Sequence, residues 1–198
     1  GFGYNWQAKI FTGFDFFPFS FNERVNYSTE FGLSISGGVL LSSFVNEGLQ
    51  LSSGLIYARK DHDQSLECTD CGEDFFGAIK IETQLRYVEI PLTLKKYFIS
   101  TEVAGIYATG GLLGGIMYRA NTVITNIDGE RGTNPTNFGY KRLLFGTYAG
   151  VGFEALLTDQ WSFGVESNLK LYLSDLNNDN MVNLSSTGFL FSANYHFE

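Results

Sequence analysis

Gly188-Phe189-Leu190-Phe191-Ser192-Ala193-Asn194-Tyr195-His196-Phe197-Glu198 alternates along its whole length. Its odd positions, Phe189, Phe191, Ala193, Tyr195 and Phe197, make one apolar face, and Leu190, Ser192, Asn194 and His196 stand between them. A period of two marks a strand with two unlike faces. Such a strand fits a soluble barrel or sandwich that turns its apolar face to a core. It equally fits the closing strand of an outer-membrane barrel, whose apolar face meets lipid and whose polar face meets the lumen.

The preceding segments repeat the pattern. Trp161, Phe163, Val165, Ser167, Leu169, Leu171 and Leu173 face away from Ser162, Gly164, Glu166, Asn168, Lys170, Tyr172 and Ser174, six apolar of seven against one of seven. Leu143 to Leu157 sets Phe145, Ala149, Val151 and Phe153 against Tyr148, Gly150, Gly152 and Glu154. Further segments are predicted at about Tyr4 to Phe17, Tyr27 to Phe44, Leu49 to Lys60, Ala78 to Ile99 and Val103 to Arg119. In the segment from Ala78, the apolar positions shift from Ile79, Ile81, Leu85 and Tyr87 to Val88, Ile90, Leu92 and Leu94. A slip of one residue turns every side chain over, so a β-bulge is predicted near Tyr87 to Glu89, beside Pro91. That bulge would place Arg86, Glu89 and Lys95 on one polar face.

The connections alternate in length. They are long after the first, third, fifth and seventh segments and tight after the second, fourth and sixth, where Val45-Asn46-Glu47-Gly48, Ser100-Thr101-Glu102 and Thr158-Asp159-Gln160 reverse the chain. An even strand number with alternating short and long connections is the plan of an outer-membrane barrel. The segments are also longer than the roughly 5 to 6 residues usual in soluble sheets and reach the about 9 to 11 that a tilted strand needs to cross hydrocarbon. Trp6, Tyr57, Tyr118, Trp161, Tyr195 and Phe197 gather near the ends of apolar faces, where interfacial girdles belong. The fold class predicted is all-β, an eight-stranded antiparallel up-and-down transmembrane β-barrel, forming a single domain over residues 1–198. The soluble alternative is a lipocalin-like carrier with the faces reversed.

Composition agrees. The chain holds 23 Gly, 19 Phe and 11 Tyr but only 3 Pro, and no apolar run approaches the roughly 18 residues of a membrane helix. A net charge of -8 without a basic cluster speaks against a nucleic-acid partner. With no Cys at position 1 for a lipid anchor, the barrel itself is expected to hold the chain in the membrane.

The segment Tyr87-Val88-Glu89-Ile90-Pro91-Leu92-Thr93-Leu94-Lys95-Lys96-Tyr97-Phe98 resembles a strand of the small outer-membrane β-barrel proteins common in Bacteroidota, of OmpA-like and PorT-like eight-stranded type. Leu55 to Lys60 resembles the strand before it, and Gly188 to Phe197 the closing strand. The resemblance implies a barrel in the bacterial outer membrane, with long loops outward and both termini periplasmic. It implies no activity, because members of the family differ in role.

On the polar faces, Lys9, Asp15, Glu30, Lys80, Glu82, Arg86, Glu89, Lys95, Arg119, Glu154, Glu166 and Lys170 supply six charges of each sign. Arg86, Glu89, Lys95, Glu154, Glu166 and Lys170 are singled out as a lumen network, because an eight-stranded barrel is just wide enough for side chains to fill and a lone buried charge is costly. Phe189, Phe191, Tyr195 and Phe197 are expected to serve as the insertion signal read by the barrel-assembly machinery. Cys68 and Cys71, separated by two residues in a polar loop, read as a disulfide rather than a redox pair or half a zinc site. Asp61, Asp63, Glu67, Asp70, Glu73 and Asp74 make the same loop acidic, with Asp175 and Asp179 candidates for the same end; solvated carboxylates account for them better than a Ca2+ site does. His62 and His196 are the only histidines, and neither has an evident strand-borne Ser and acid for hydrolytic chemistry. The expected function is therefore non-enzymatic and without a cofactor: a barrel in contact with outer-membrane lipid and with other outer-membrane or envelope proteins, as an accessory subunit or a surface interaction or stability protein. The alternatives are a lipid-modifying enzyme and the soluble carrier.

Overall fold

The computed structural model describes residues 6–18, 31–46, 48–66, 79–125, 131–134, 142–173 and 185–197. The strands are β1 (Trp6–Pro18), β2 (Phe31–Asn46), β3 (Leu49–Leu66), β4 (Ile79–Ser100), β5 (Ala104–Thr125), β6 (Arg131–Asn134), β7 (Leu143–Leu156), β8 (Trp161–Tyr172) and β9 (Ser185–Phe197). Every pairing is antiparallel, in the order β4-β3-β2-β1-β9-β8-β7-β5, and β4 pairs with β5 to close the ring. Eight strands form the wall. The short β6 lies outside it, folded back on Thr122 to Thr125.

Closure gives every wall strand a hydrogen-bonded neighbour on both sides, which is what allows strands to cross a membrane at all. The closing strand meets β1 and β8 as its alternation requires, with Phe189, Phe191 and Phe197 exposed outward and Leu190, Ser192, Asn194 and His196 buried inward. The same polarity runs round the ring. Ile10, Val39, Leu55, Leu92, Leu112, Val151 and Leu169 are outside, while Gln7, Ser34, Gln50, Thr93 and Asn168 are inside and buried. The lipocalin-like alternative is thereby overturned, because the apolar face is the outer one.

At the end with tight connections, Gly48 turns the chain at a φ of 78°, a conformation open to glycine at little cost. Thr101 and Thr158 close the other two turns through their hydroxyls, which accept from Ala104 N and Trp161 N, each at 3.0 Å. The long connections leave from the opposite end, where β3, β4 and β5 run beyond their neighbours. There β3 continues to Leu66 and β5 to Thr125, past the predicted ends at Lys60 and Arg119.

The bulge lies on a different strand from the one predicted. From Thr83 to Tyr97 β4 keeps a single parity: Thr83, Leu85, Tyr87, Glu89, Thr93, Lys95 and Tyr97 all point inward and are buried, and its own irregularity comes only at Phe98, near the tight turn. The extra residue is Tyr118 on β5, because Arg86 pairs with Arg119 and the next residue, Tyr87, with Met117. Tyr118 and Arg119 both lie outside. The apolar residues Leu85 and Tyr87 that suggested a flip are part of an inward cluster with Ala58, Leu113, Met117, Ala120, Leu144 and Tyr172. Hydrophobic filling of the lumen at that end mimics a change of face.

Candidate functional site

Every charged side chain buried among the described residues faces the lumen. The carboxylates are Asp15, Glu89, Glu154 and Glu166; the lysines are Lys9, Lys60, Lys95 and Lys170. Four against four leaves no net charge to be carried by the interior, apart from His196.

Glu154, on β7, is the hub of the half nearest the tight turns. Its Oε2 accepts from Lys95 Nζ at 2.5 Å and from the Tyr97 hydroxyl at 2.7 Å. Its Oε1 accepts from Ser162 at 2.5 Å, Gln7 at 3.0 Å and Asn194 at 3.1 Å. Gln50 extends the chain by donating to Gln7 at 2.7 Å. A carboxylate with both oxygens bonded to a cation and to neutral donors is the arrangement in which burying an ion pair is tolerable. Gly152 makes room for it: a Cβ there would stand 2.4 Å from Cζ of Tyr107, whose ring lies 4.0 Å beneath Lys95 Nζ.

Midway along, Glu166 accepts from the Tyr148 hydroxyl and from Thr109 at 3.4 Å, with Lys9 at 3.9 Å. Nearer the long connections, Lys170 donates to Asp15 at 2.5 Å, and Glu89 accepts from the Tyr172 hydroxyl at 2.8 Å. Lys60 stands 3.6 Å from Glu89 and 3.8 Å over the Tyr172 ring, so here an aromatic face shares the work of a carboxylate. Between these groups is a cavity of about 40 Å³ bordered by Lys9, Gln50, Lys95, Tyr148 and Glu166, room for a few waters.

Of the six residues expected in the network, Glu89, Lys95, Glu154, Glu166 and Lys170 are in it. Arg86 is not: it occupies an outward position on β4, as does Glu82, and Arg119 is exposed on β5. Lys9 and Asp15, read only as polar-face charges, also belong to the network, and Lys60 is the member absent from both sets, although its even parity with Gln50 and Ser52 already put it on the polar face. Glu30, Cys68, Cys71, Glu67, Asp70, Glu73, Asp74, Asp175 and Asp179 lie outside the described residues, as do the side chains of His62, Asp63 and Lys80. Asp61 is on β3 and paired with Arg59 at 2.7 Å rather than lying in a loop.

His196 has the strand-borne neighbours that its sequence did not reveal. Ser162 Oγ lies 3.0 Å from its Nε2, and Glu154 Oε1 is 3.7 Å from the same nitrogen. This is not a hydrolytic triad, in which the acid holds the nitrogen remote from the serine. Ser162 instead donates to Glu154, and all three side chains are buried.

A closed eight-stranded wall, apolar outside and charge-paired within, defines an integral outer-membrane β-barrel. Residues 4–178 match the family model described as outer membrane protein beta-barrel domain, and the chain belongs to that family. No curated protein sequence matches it. Among solved structures it is similar to neisserial surface protein A (12% identity, 96% of this chain and 97% of that one, TM-score 0.55). It is likewise similar to the outer membrane protein OprG of Pseudomonas aeruginosa (12% identity, 98% and 97%, TM-score 0.50). At such identities the likeness is one of fold.

Proposed function

We propose that this barrel acts by its surfaces, as an accessory subunit of an envelope complex or a surface interaction and stability protein, and neither conducts solutes nor catalyses a reaction. The observation that carries this reading is the charge-paired lumen, in which four buried carboxylates meet four buried lysines. A selectivity lining would leave charge facing water; here the charge faces its partner. The long connections extend from the outer face of the membrane, and both termini lie in the periplasm. The resemblance around Glu89-Ile90-Pro91-Leu92 supports a Bacteroidota-type barrel and, with it, that orientation.

The test is gentle detergent extraction of native membranes, affinity capture of the chain, and quantification of what accompanies it. A stoichiometric envelope partner, lost when the long connections are replaced, is expected. Recovery of the barrel alone from membranes, together with no envelope phenotype on its deletion, would contradict the proposal. A second reading, lipid-modifying catalysis, is favoured only by the contact of Ser162 with His196. Unchanged lipid profiles in Ser162→Ala and His196→Ala strains are expected, and an altered profile would establish the enzyme instead.

A further inference from the structure

The outward face of β3, β4 and β5 carries three arginines in register. Arg59 pairs with Arg86 across β3 and β4, and Arg86 pairs with Arg119 across β4 and β5. Strands about 4.8 Å apart put three guanidinium stems in a row on one side of the wall. Like charges placed directly opposite one another oppose pairing, so such a row calls for an anion.

The row stands at the upper limit of the apolar belt. On β4 the outward positions run Arg86, Val88, Ile90, Leu92, Leu94 and Lys96. Ten residues at a rise of about 3.3 Å, tilted by about 40°, span about 25 Å, the height of a barrel's lipid-facing band. Tyr57 and Tyr118, with ring centroids 6.3 Å apart, lie beside Arg86 as an interfacial girdle would. The bulge at Tyr118 completes the arrangement. Without it Arg119 would share the inward parity of Leu113 and Met117; with it Arg119 turns out to the row.

Charge among the described residues answers the row only at Arg59, leaving Arg86 and Arg119 without a carboxylate. Asp61 pairs with Arg59, and Asn121 accepts from Arg119 Nε at 3.3 Å. Among the described residues no carboxylate lies within ion-pair distance of Arg86 or Arg119, and Arg86 Nε is buried without a hydrogen-bond acceptor.

We infer that Arg59, Arg86 and Arg119 form a binding site for the phosphorylated headgroup of a lipid in the leaflet at the long-connection end. Guanidinium forks match phosphate oxygens in pairs, and a headgroup anchored by its acyl chains against Val88 and Ile116 would present its phosphate at this height.

The test uses the purified full chain in neutral detergent and native mass spectrometry. The probes are bisphosphorylated lipid A, the same lipid enzymatically dephosphorylated, and inorganic phosphate as competitor. Wild type is expected to retain the phosphorylated lipid preferentially, and R86Q/R119Q to lose about twenty-five-fold in affinity for it, two arginines each contributing about a factor of five. R119Q alone is expected to lose about fivefold, and K96Q at the other end of the belt to lose nothing. Heat-modifiable electrophoretic mobility reports that each variant is folded. Equal retention of both lipids, equal loss in K96Q, or displacement by equimolar inorganic phosphate would each overturn the site.

Discussion

The two ends of the lumen are filled by different chemistry. Near the tight turns, Glu154 gathers Lys95, Tyr97, Gln7, Ser162 and Asn194 into one hydrogen-bonded knot. Near the long connections, Leu85, Met117, Leu144 and their neighbours make an apolar plug, and the adjacent charge of Lys60 rests partly on the Tyr172 ring. Directional bonds fix the first end in one arrangement, because each lost partner leaves a buried polar atom exposed to a low dielectric. Volume fixes the second, and tolerates exchange of one hydrophobe for another of similar size. A single barrel thus closes itself twice.

The largest effect is expected at the polar end. Glu154→Met strands Lys95 and should cost about 3–5 kcal/mol, whereas Glu154→Met with Lys95→Met should recover most of it, since hydrophobic replacement of a whole buried pair is often neutral. Urea unfolding of the refolded barrel in lipid measures both. No recovery in the double variant would mean that Glu154 is held chiefly by its neutral donors. At the apolar end, Leu144→Ala should cost about 2–4 kcal/mol through the cavity it leaves, read in the same titration. Gly152→Ala should cost about 1–3 kcal/mol by pressing on the Tyr107 ring, and a smaller residue at 107 should relieve it. The smallest quantity is the coupling between the ends. The costs of Glu154→Met and Leu144→Ala should add to within about 0.5 kcal/mol; a larger coupling would show that the lumen is one cooperative unit rather than two plugs.

How far the sequence reveals this depends on what fills the barrel. β8 and β9 are legible throughout, because their inward faces carry Glu166, Asn168, Lys170, Ser192 and Asn194 and their outward faces carry almost nothing polar. β4 misleads at one end. Its inward residues Leu85 and Tyr87 are apolar because the lumen there is apolar, so hydrophobicity stops marking the lipid face. The same confusion moved Arg86 and Arg119 into the lumen on paper, since the bulge that turns Arg119 outward sits at Tyr118, where Tyr and Arg give no local signal of a bulge. Ser162 lies beside His196 because Ser162 pairs with Asn194, two residues away on the same face. Cross-strand register of that kind is set by the whole ring and cannot be read from either strand alone.

The central claim is that the lumen is closed by its own side chains. Reconstitution of the purified chain into planar bilayers, with current recorded at constant voltage, tests it most directly. The account predicts no regular conductance steps above those of the bare membrane. Large, uniform, reproducible steps from the folded barrel would contradict it, and with it the assignment of Glu154 and its partners as a plug.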